Sequence, residues 1–272
     1  MSVVPDLAPM RPRLLSWGLV RRPSHVIERN VRFYRRSWFL VFSGGLEPIF
    51  YLISARVGLG VLVGELRAPT GELVPYTAYV APALLAASAA NGVVYDTTYN
   101  FFHRLKFEKT YDSMLATPMS VRDVSLGELG WALIRGLIQA VLFVAVMASF
   151  GLIASWWALL LLPAVLLIEW AFAGLGLAAT VHVRSWRDFD WQQLLWLPLF
   201  LLSASFFPLD VYPEWSQWLV RVTPLYQGVA LLRVLVLGGV EWTVLGHVAY
   251  LAVVGYLGLR HATSRMARLL LK

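Results

Sequence analysis

Four ionisable residues, Glu47, Asp96, Arg135 and Glu169, interrupt stretches of sequence that are otherwise almost entirely apolar. Burying a charge among apolar groups is costly, so such residues usually pair with each other or face a polar cavity. Counted from the inner ends of two predicted helices, Glu47 and Arg135 lie at depths that agree within roughly 3 Å at 1.5 Å per residue. This agreement predicts an ion pair between them, within one subunit or across a dimer. Asp96 and Glu169 are competing partners, and such a pair could fix helix register or handle a substrate.

The sequence lacks the motifs of the common catalytic centres. Its only lysines are Lys106, Lys109 and Lys272, and none follows a glycine, so there is no G-x-x-x-x-G-K-[ST] phosphate loop. The five histidines are scattered and fit no metal-binding spacing. No G-x-S-x-G elbow occurs, and the absence of cysteine excludes disulfides and thiolate metal sites. We therefore predict no catalytic residue, no metal and no cofactor on this chain.

The elements that carry these residues are predicted from composition. Of the 272 residues, 58% are hydrophobic and only 14% are charged, whereas soluble domains average about 25% charged residues. The mean hydropathy is +0.64. We predict an all-α integral membrane protein with six transmembrane helices, at about 37–60, 76–102, 124–150, 157–182, 191–208 and 243–260.

The distribution of basic residues predicts the orientation. Eighteen of the 23 arginines and lysines fall in the two terminal segments and in the loops after the second and fourth spans. The opposite loops hold only Arg67, Arg221 and Arg233. Because cytoplasmic loops are enriched in positive charge, both termini are predicted to be cytoplasmic. The net charge of +7 is thereby explained by orientation, and no nucleic-acid partner is predicted.

Both terminal segments are predicted to lie in the cytoplasm. Residues 1–23 are rich in proline and arginine and are predicted to form a disordered tail, and residues 263–272 a second short tail. Between the first tail and the first span, Ser24–Arg36 is predicted to form an amphipathic helix in the plane of the membrane interface. Its basic face would meet anionic headgroups through Arg29, Arg32, Arg35 and Arg36.

A polar segment, His103–Arg122, separates the second and third spans. Phe107, Tyr111, Met114 and Leu115 recur at helical spacing and predict a short amphipathic helix that ends before Pro118. Ser120 and Asp123 have the spacing of a capping box, which would start the next helix. The helix is either an ordinary interfacial connector or a docking element for a soluble partner.

The segment from residue 208 to residue 241 is predicted to form two short outer helices that dip into the membrane or cap the bundle. Pro213 and Pro224 suit first helical turns, the second with Thr223 as N-cap. A seventh span at 224–240 is the alternative. Arg233 disfavours it, and it would place the basic C-terminal segment on the wrong side of the membrane.

Several motifs in combination resemble a known family. They are LEPIFYL in the first span, MLATPMS followed by VRDVSLGEL around residue 120, and FFPLDVYPEW leading to TPLYQGVALLR. Over roughly residues 25–262 the chain resembles the membrane-spanning subunit of ABC-2 type exporters, in particular the nodulation-factor and daunorubicin-resistance permease group.

The resemblance implies a division of labour between subunits. The chain would pair with a second permease copy or paralogue and with two separate nucleotide-binding subunits that hold ATP and Mg, in the bacterial cytoplasmic (inner) membrane. Amphipathic cargo would be exported, such as a glycolipid, a lipid-linked saccharide or a hydrophobic drug. The coupling helix that docks on the ATPase would comprise Phe107, Glu108, Lys109, Tyr111, Asp112, Met114 and Leu115. The substrate path or dimer interface, between the first and fifth spans, would include Glu47, Phe50, Tyr51, Ser203, Ser205, Phe206 and Phe207.

Two other classes of function stay open from the residues alone. One is an ion-coupled carrier that acts alone and relays protons through Glu47, Asp96 and Glu169, although residues 37–122 and 157–260 show no convincing repeat. The other is a membrane-embedded lipid-modifying enzyme. It would need a cluster of His, Asp or Ser at one depth, which the sequence does not predict.

Overall fold

The computed structural model describes residues 15–68 and 70–270. Within them, five helical segments are long and apolar enough to cross a membrane: Gly44–Val63, Tyr76–Lys106, Val121–Ser149, Trp156–Thr180 and Thr243–Leu269. A sixth candidate is a pair of helices, Glu214–Val222 and Pro224–Leu237, that meet at an angle of 86°. The chain is therefore a multi-pass, mainly α-helical membrane protein with five or six candidate spans.

The first half of the chain contains six helices and one hairpin. Helix α2 continues through a π-helical turn, Ala55–Leu59, into α3, and α4 continues through a second π-helical turn, Asp96–Asn100, into α5. Strands β1 and β2 pair antiparallel with Leu66 opposite Val74, a hairpin that we did not predict. The elements are α1 (Leu15–Arg35), α2 (Trp38–Ser54), α3 (Gly60–Val63), β1 (Glu65–Arg67), β2 (Leu73–Pro75), α4 (Tyr76–Tyr95), α5 (Phe101–Lys106) and α6 (Thr110–Leu115).

The second half consists of α-helices joined by short connections, with two 3₁₀ turns at Trp156–Leu160 and Leu209–Val211. Its α-helices are α7 (Val121–Ser149), α8 (Leu161–Thr180), α9 (Asp188–Leu201), α10 (Glu214–Val222), α11 (Pro224–Leu237) and α12 (Thr243–Leu270). Helices α4 and α8 form the centre of the bundle, and most of their side chains are buried. Small residues let α8 and α12 pack closely, since a Cβ on Gly174 would lie 2.5 Å from the carbonyl oxygen of Gly255.

The fifth predicted span differs most from the structure. Helix α9 has 14 residues and ends at Leu201, so it is about 21 Å long, shorter than a hydrocarbon core of about 30 Å. A non-helical turn follows, in which Ala204 has a φ of +54°. The predicted span at 191–208 is therefore a shorter helix and a turn.

The terminal segments are more helical than predicted. Helix α1 begins at Leu15 and runs through Ser24, so residues 15–23 are not the disordered tail that we predicted. Residues 1–14 lie outside the described part of the chain. At the other end, α12 continues to Leu270, and Met266 is buried, so residues 263–270 extend the last helix.

Two of the helix starts predicted from local sequence, those of α7 and α11, are confirmed. The Ser120 hydroxyl accepts a hydrogen bond from the Asp123 amide at 3.2 Å, and the Ser120 amide donates to the Asp123 carboxylate at 2.8 Å. This is the complete capping box of α7. Thr223 likewise accepts from the amide of Tyr226 at 3.3 Å, with Pro224 in the first turn of α11.

The packing of α1 on α7 depends on Gly127. A Cβ at this position would lie 2.5 Å from the Cβ of Val26 and 2.8 Å from the carbonyl oxygen of Pro23. Real Cβ atoms essentially never lie this close to the backbone or Cβ of a neighbouring helix. Gly127, the glycine of the motif RDxxxGE at residues 122–128, therefore lets α1 pack against α7.

We expect Gly127→Ala to force α1 away from α7 and to lower the stability of the purified protein by about 1–3 kcal/mol, as overpacking does. Thermal unfolding in detergent, followed by tryptophan fluorescence, measures the change. Gly58→Ala is the matched control, because a Cβ there would have nothing within 4 Å. Equal melting temperatures for the two variants would contradict this role of Gly127.

Candidate functional site

The polar segment between the spans Tyr76–Lys106 and Val121–Ser149 forms the short helix α6. Tyr111 is fully buried under it at 0% exposure, and its ring packs on Phe101 with centroids 5.0 Å apart. Burial raises the pKa of the Tyr111 phenol well above its usual range, so the side chain stays neutral. The prediction that Tyr111 contacts a partner is therefore wrong, because its ring attaches α6 to the bundle.

The outward side of the segment carries charge and one exposed aromatic ring. Glu108, Lys109 and Asp112 are exposed, and Phe107 is 57% exposed. The ring of Phe107 stacks on that of Trp186, with centroids 5.6 Å apart. Met114 and Leu115 are half-buried against the core. Phe107 and the three charged residues therefore form the exposed surface of this segment.

A buried carboxylate joins this segment to its neighbours. Glu128, on α7, is 5% exposed, and it accepts hydrogen bonds from Arg29 at 2.7 Å, from Asn30 at 3.2 Å and from Arg104. Arg29 also lies 3.9 Å from the sulfur of Met114 on α6. We name these residues, Arg29, Asn30, Arg104 and Glu128, the inner network. It connects α1, α5 and α7 and touches α6.

The inner network was not predicted, and it changes the interpretation of α1. Arg29 points into the protein rather than toward lipid headgroups, while Arg32, Arg35 and Arg36 are exposed, as a basic interfacial face requires. Arg32 pairs with Glu28 one turn earlier at 2.5 Å. The one signal for Glu128 in the sequence was its place in the RDxxxGE motif, since its apolar neighbours give no hint of its partners.

A cleft of about 470 Å³ lies in the bundle between α2, α4, α7 and α9. One part of its wall is apolar and aromatic, and includes Trp196, Leu197 and Phe200 of α9. The other part is polar and consists of Glu47, Tyr51, Ser88, Asn91, Tyr95, Arg135 and Gln139. Such a wall can hold a molecule that has an apolar part and a hydrogen-bonding part.

The predicted path residues fall into two groups. Glu47 and Tyr51 line the cleft, whereas Phe50 and Phe207 are exposed on the outside of the single chain at 66% and 54%. Ser203 and Ser205 are fully buried, and their hydroxyl oxygens are 2.7 Å apart. Phe206 packs on Phe200 with centroids 5.2 Å apart. The two serines therefore do not line the cleft, because they close a turn after α9.

The intramembrane ion pair differs from the one predicted. Among the ion pairs of residues 15–68 and 70–270, Arg135 is joined to Asp96 and not to Glu47. Asp96 also accepts from Asn100 at 2.6 Å. Equal depth was the basis of the prediction, but depth does not decide which helix face meets which. Glu169 is not a partner either, since its carboxyl packs against Gly136 and has no hydrogen-bond partner within the described part of the chain.

The site therefore consists of a membrane bundle with a cleft and a short helix, α6, attached to the bundle. Within the described residues there is no cluster of three or more His, Cys, Asp or Glu that could hold a metal ion. The cleft can bind a molecule.

Comparison with known proteins identifies the family. The family model of the ABC-2 type transporter matches residues 24–237, and the chain belongs to this family. Nodulation protein J of Rhizobium leguminosarum bv. trifolii is 32% identical over 261 residues, which cover 95% of each chain. The protein of that name from Sinorhizobium fredii is 31% identical over 76% of this chain and 78% of its own.

Family membership supports one of the three function classes considered above. The chain is a transport membrane subunit and not itself a catalyst, and membership implies association with ABC ATPase subunits. It argues against both a lone ion-coupled carrier and a lipid-modifying enzyme.

We expect Glu128→Gln to destabilise the folded protein by about 3–5 kcal/mol, because it removes a buried carboxylate and leaves two partly buried arginines without their counter-ion. Thermal unfolding in detergent at low and high salt measures the loss. The matched control is Glu28→Gln on α1, which breaks an exposed pair worth about 0–1 kcal/mol. If both variants melt alike, the inner network does not stabilise the fold.

Proposed function

We propose that the chain is the membrane subunit of an ATP-driven exporter in the bacterial cytoplasmic membrane, with ATP hydrolysed by separate nucleotide-binding subunits. The observation that carries the proposal is the attachment of α6. Its inner side is fixed to the bundle by Tyr111 and the inner network, and its outer side presents Phe107, Glu108, Lys109 and Asp112.

The mechanism follows from this attachment. A partner that closes on ATP moves the surface of α6, and a lever can pass on that motion only if it does not bend at its base. Tyr111 is fully buried, and Arg29 bonds α1 to α7. A displacement of α6 therefore moves α1, α5 and α7 together and changes the width of the cleft.

The cleft supports an amphipathic substrate. Aromatic rings of α9 suit an acyl chain or a planar drug, and the carboxylate, amides and hydroxyls on the facing helices suit a hydroxylated or amide-bearing head. A glycolipid or a lipid-linked saccharide has both parts. The similar proteins from Rhizobium leguminosarum and Sinorhizobium fredii are named for nodulation. An amphipathic cargo for this chain is part of the proposal.

A second permease subunit is proposed from the exposure of α2. Glu47 lies within the candidate span Gly44–Val63, lines the cleft and is exposed in the single chain. A carboxylate that faces lipid is costly. A second copy or a paralogue against α2 would cover it, and two permeases would then bind two ATPase subunits.

The docking surface is tested by charge reversal. We expect Asp112→Arg to reduce co-purification with the ATPase subunit at least fivefold and to uncouple ATP hydrolysis from export, because rim charges steer and register a partner. The protein should keep its melting temperature, since Asp112 is exposed.

Glu72→Arg is the control for Asp112→Arg, because it makes the same change at an exposed site in the turn of the β-hairpin. Normal co-purification and coupling in Asp112→Arg would remove the docking assignment of α6.

The cleft is tested by removing a polar group without leaving a cavity. We expect Asn91→Leu to lower export by the reconstituted complex about fivefold, which corresponds to the loss of one hydrogen bond of about 1 kcal/mol. ATP hydrolysis without substrate should stay unchanged. Val253→Leu, on the outward face of α12, is the control, and equal export by both variants would rule out Asn91 as a contact.

A further inference from the structure

Arg233 of α11 is a buried cation of unusual environment. It is 5% exposed, it lies in a helix whose neighbours Leu232 and Val236 are fully buried, and the ion pairs of the described residues do not include it. A buried charge without a counter-ion is costly unless its hydrogen bonds are satisfied. The hydrogen-bond partners of Arg233 therefore indicate its role.

The guanidinium is satisfied by backbone carbonyls of two other elements. It donates to the carbonyl of Tyr79 near the start of α4 at 3.4 Å, and to those of Ala204 and Ser205 at 3.0 and 3.4 Å. It also lies 3.9 Å above the ring of Tyr79, where the negative face of the ring favours a cation. One side chain therefore ties α11, α4 and the turn after α9.

The turn that Arg233 holds is strained. Ala204 has a φ of +54°, a left-handed conformation that a residue with a Cβ rarely adopts. The turn contributes a hydrogen bond from the Ser203 hydroxyl to the carbonyl of Phe200 at 2.7 Å. Such a conformation persists only where the surroundings hold it, and Arg233 donates to the carbonyls of the two peptide bonds that follow Ala204.

We propose that Arg233 is a positioning residue that holds the turn 202–207 closed at the outer end of α9. α9 supplies the aromatic wall of the cleft, so the position of this turn sets whether the cleft is open at that end. Release of the three carbonyls frees the turn to relax from its left-handed conformation, and the end of the cleft opens. The further idea that substrate leaves through this end of the cleft rests on the proposed function.

The test measures access to the turn and needs no ATPase partner. The chain contains no cysteine, so a single Ser205→Cys reports alone, and in the wild-type background it is buried. Its rate of modification by a membrane-impermeant maleimide is measured in right-side-out and inverted vesicles. We expect Arg233→Gln to raise this rate at least tenfold, and Arg233→Lys to restore most of the protection because lysine also donates to carbonyls.

Two controls separate release of the turn from general unfolding. Arg221→Gln removes an exposed arginine from the neighbouring helix α10 and should leave the rate unchanged. Ala171→Cys, fully buried on α8, should stay protected in the Arg233→Gln background. An unchanged rate at position 205 overturns the proposal. So does equal exposure of positions 205 and 171, because the effect is then not local.

The outcomes also separate this inference from the proposed function. Protection that depends on Arg233, in a chain that never associates with an ATPase, would leave the positioning role standing and remove its meaning as an exporter exit. An exporter whose position 205 is equally protected with and without Arg233 would retain its function and lose this residue's role.

Discussion

The carboxylate of Glu128 is the group on which the packing of α1, α5 and α7 depends. It is buried, so it needs donors, and Arg29 and Asn30 of α1 and Arg104 of α5 supply them. Each of these donors would be costly to bury alone. The requirement is mutual, and it fixes the position of an otherwise peripheral N-terminal helix against the third span. Gly127, one residue earlier, lets the two helices approach closely enough for these bonds to form.

Features set by neighbouring residues were predictable from the sequence. The capping box at Ser120 and the proline and threonine at the start of α11 depend on local backbone chemistry. The stripe Leu225, Val229, Leu232 and Val236 is buried as its period indicates. The similar stripe on α10, from Trp215 to Val222, is exposed, because α10 lies at the end of the bundle where no helix covers it.

Features that depend on helix rotation were not predictable. Arg135 and Glu47 are at similar depth, but depth does not fix which helix faces meet. Arg135 pairs with Asp96, which lies at the start of the π-helical turn Asp96–Asn100. On α1 the buried stripe includes Asn30 while Val31 is 45% exposed, the reverse of what hydrophobicity predicts, because Glu128 needs the amide. A polar residue with a polar partner elsewhere in the chain gives no periodic signal.

The two ends of the bundle use different electrostatics, and the difference suits an alternating motion. At the inner end, arginines meet a full negative charge, and a charge-assisted bond of this kind is strong and holds one geometry. At the outer end, Arg233 meets only carbonyl dipoles and an aromatic ring, and water or other carbonyls can replace such acceptors at smaller cost. In the proposed mechanism, a motion that enters through α6 therefore reaches the inner network first and the turn held by Arg233 last. We expect that turn to change shape while α1, α5 and α7 move as one body.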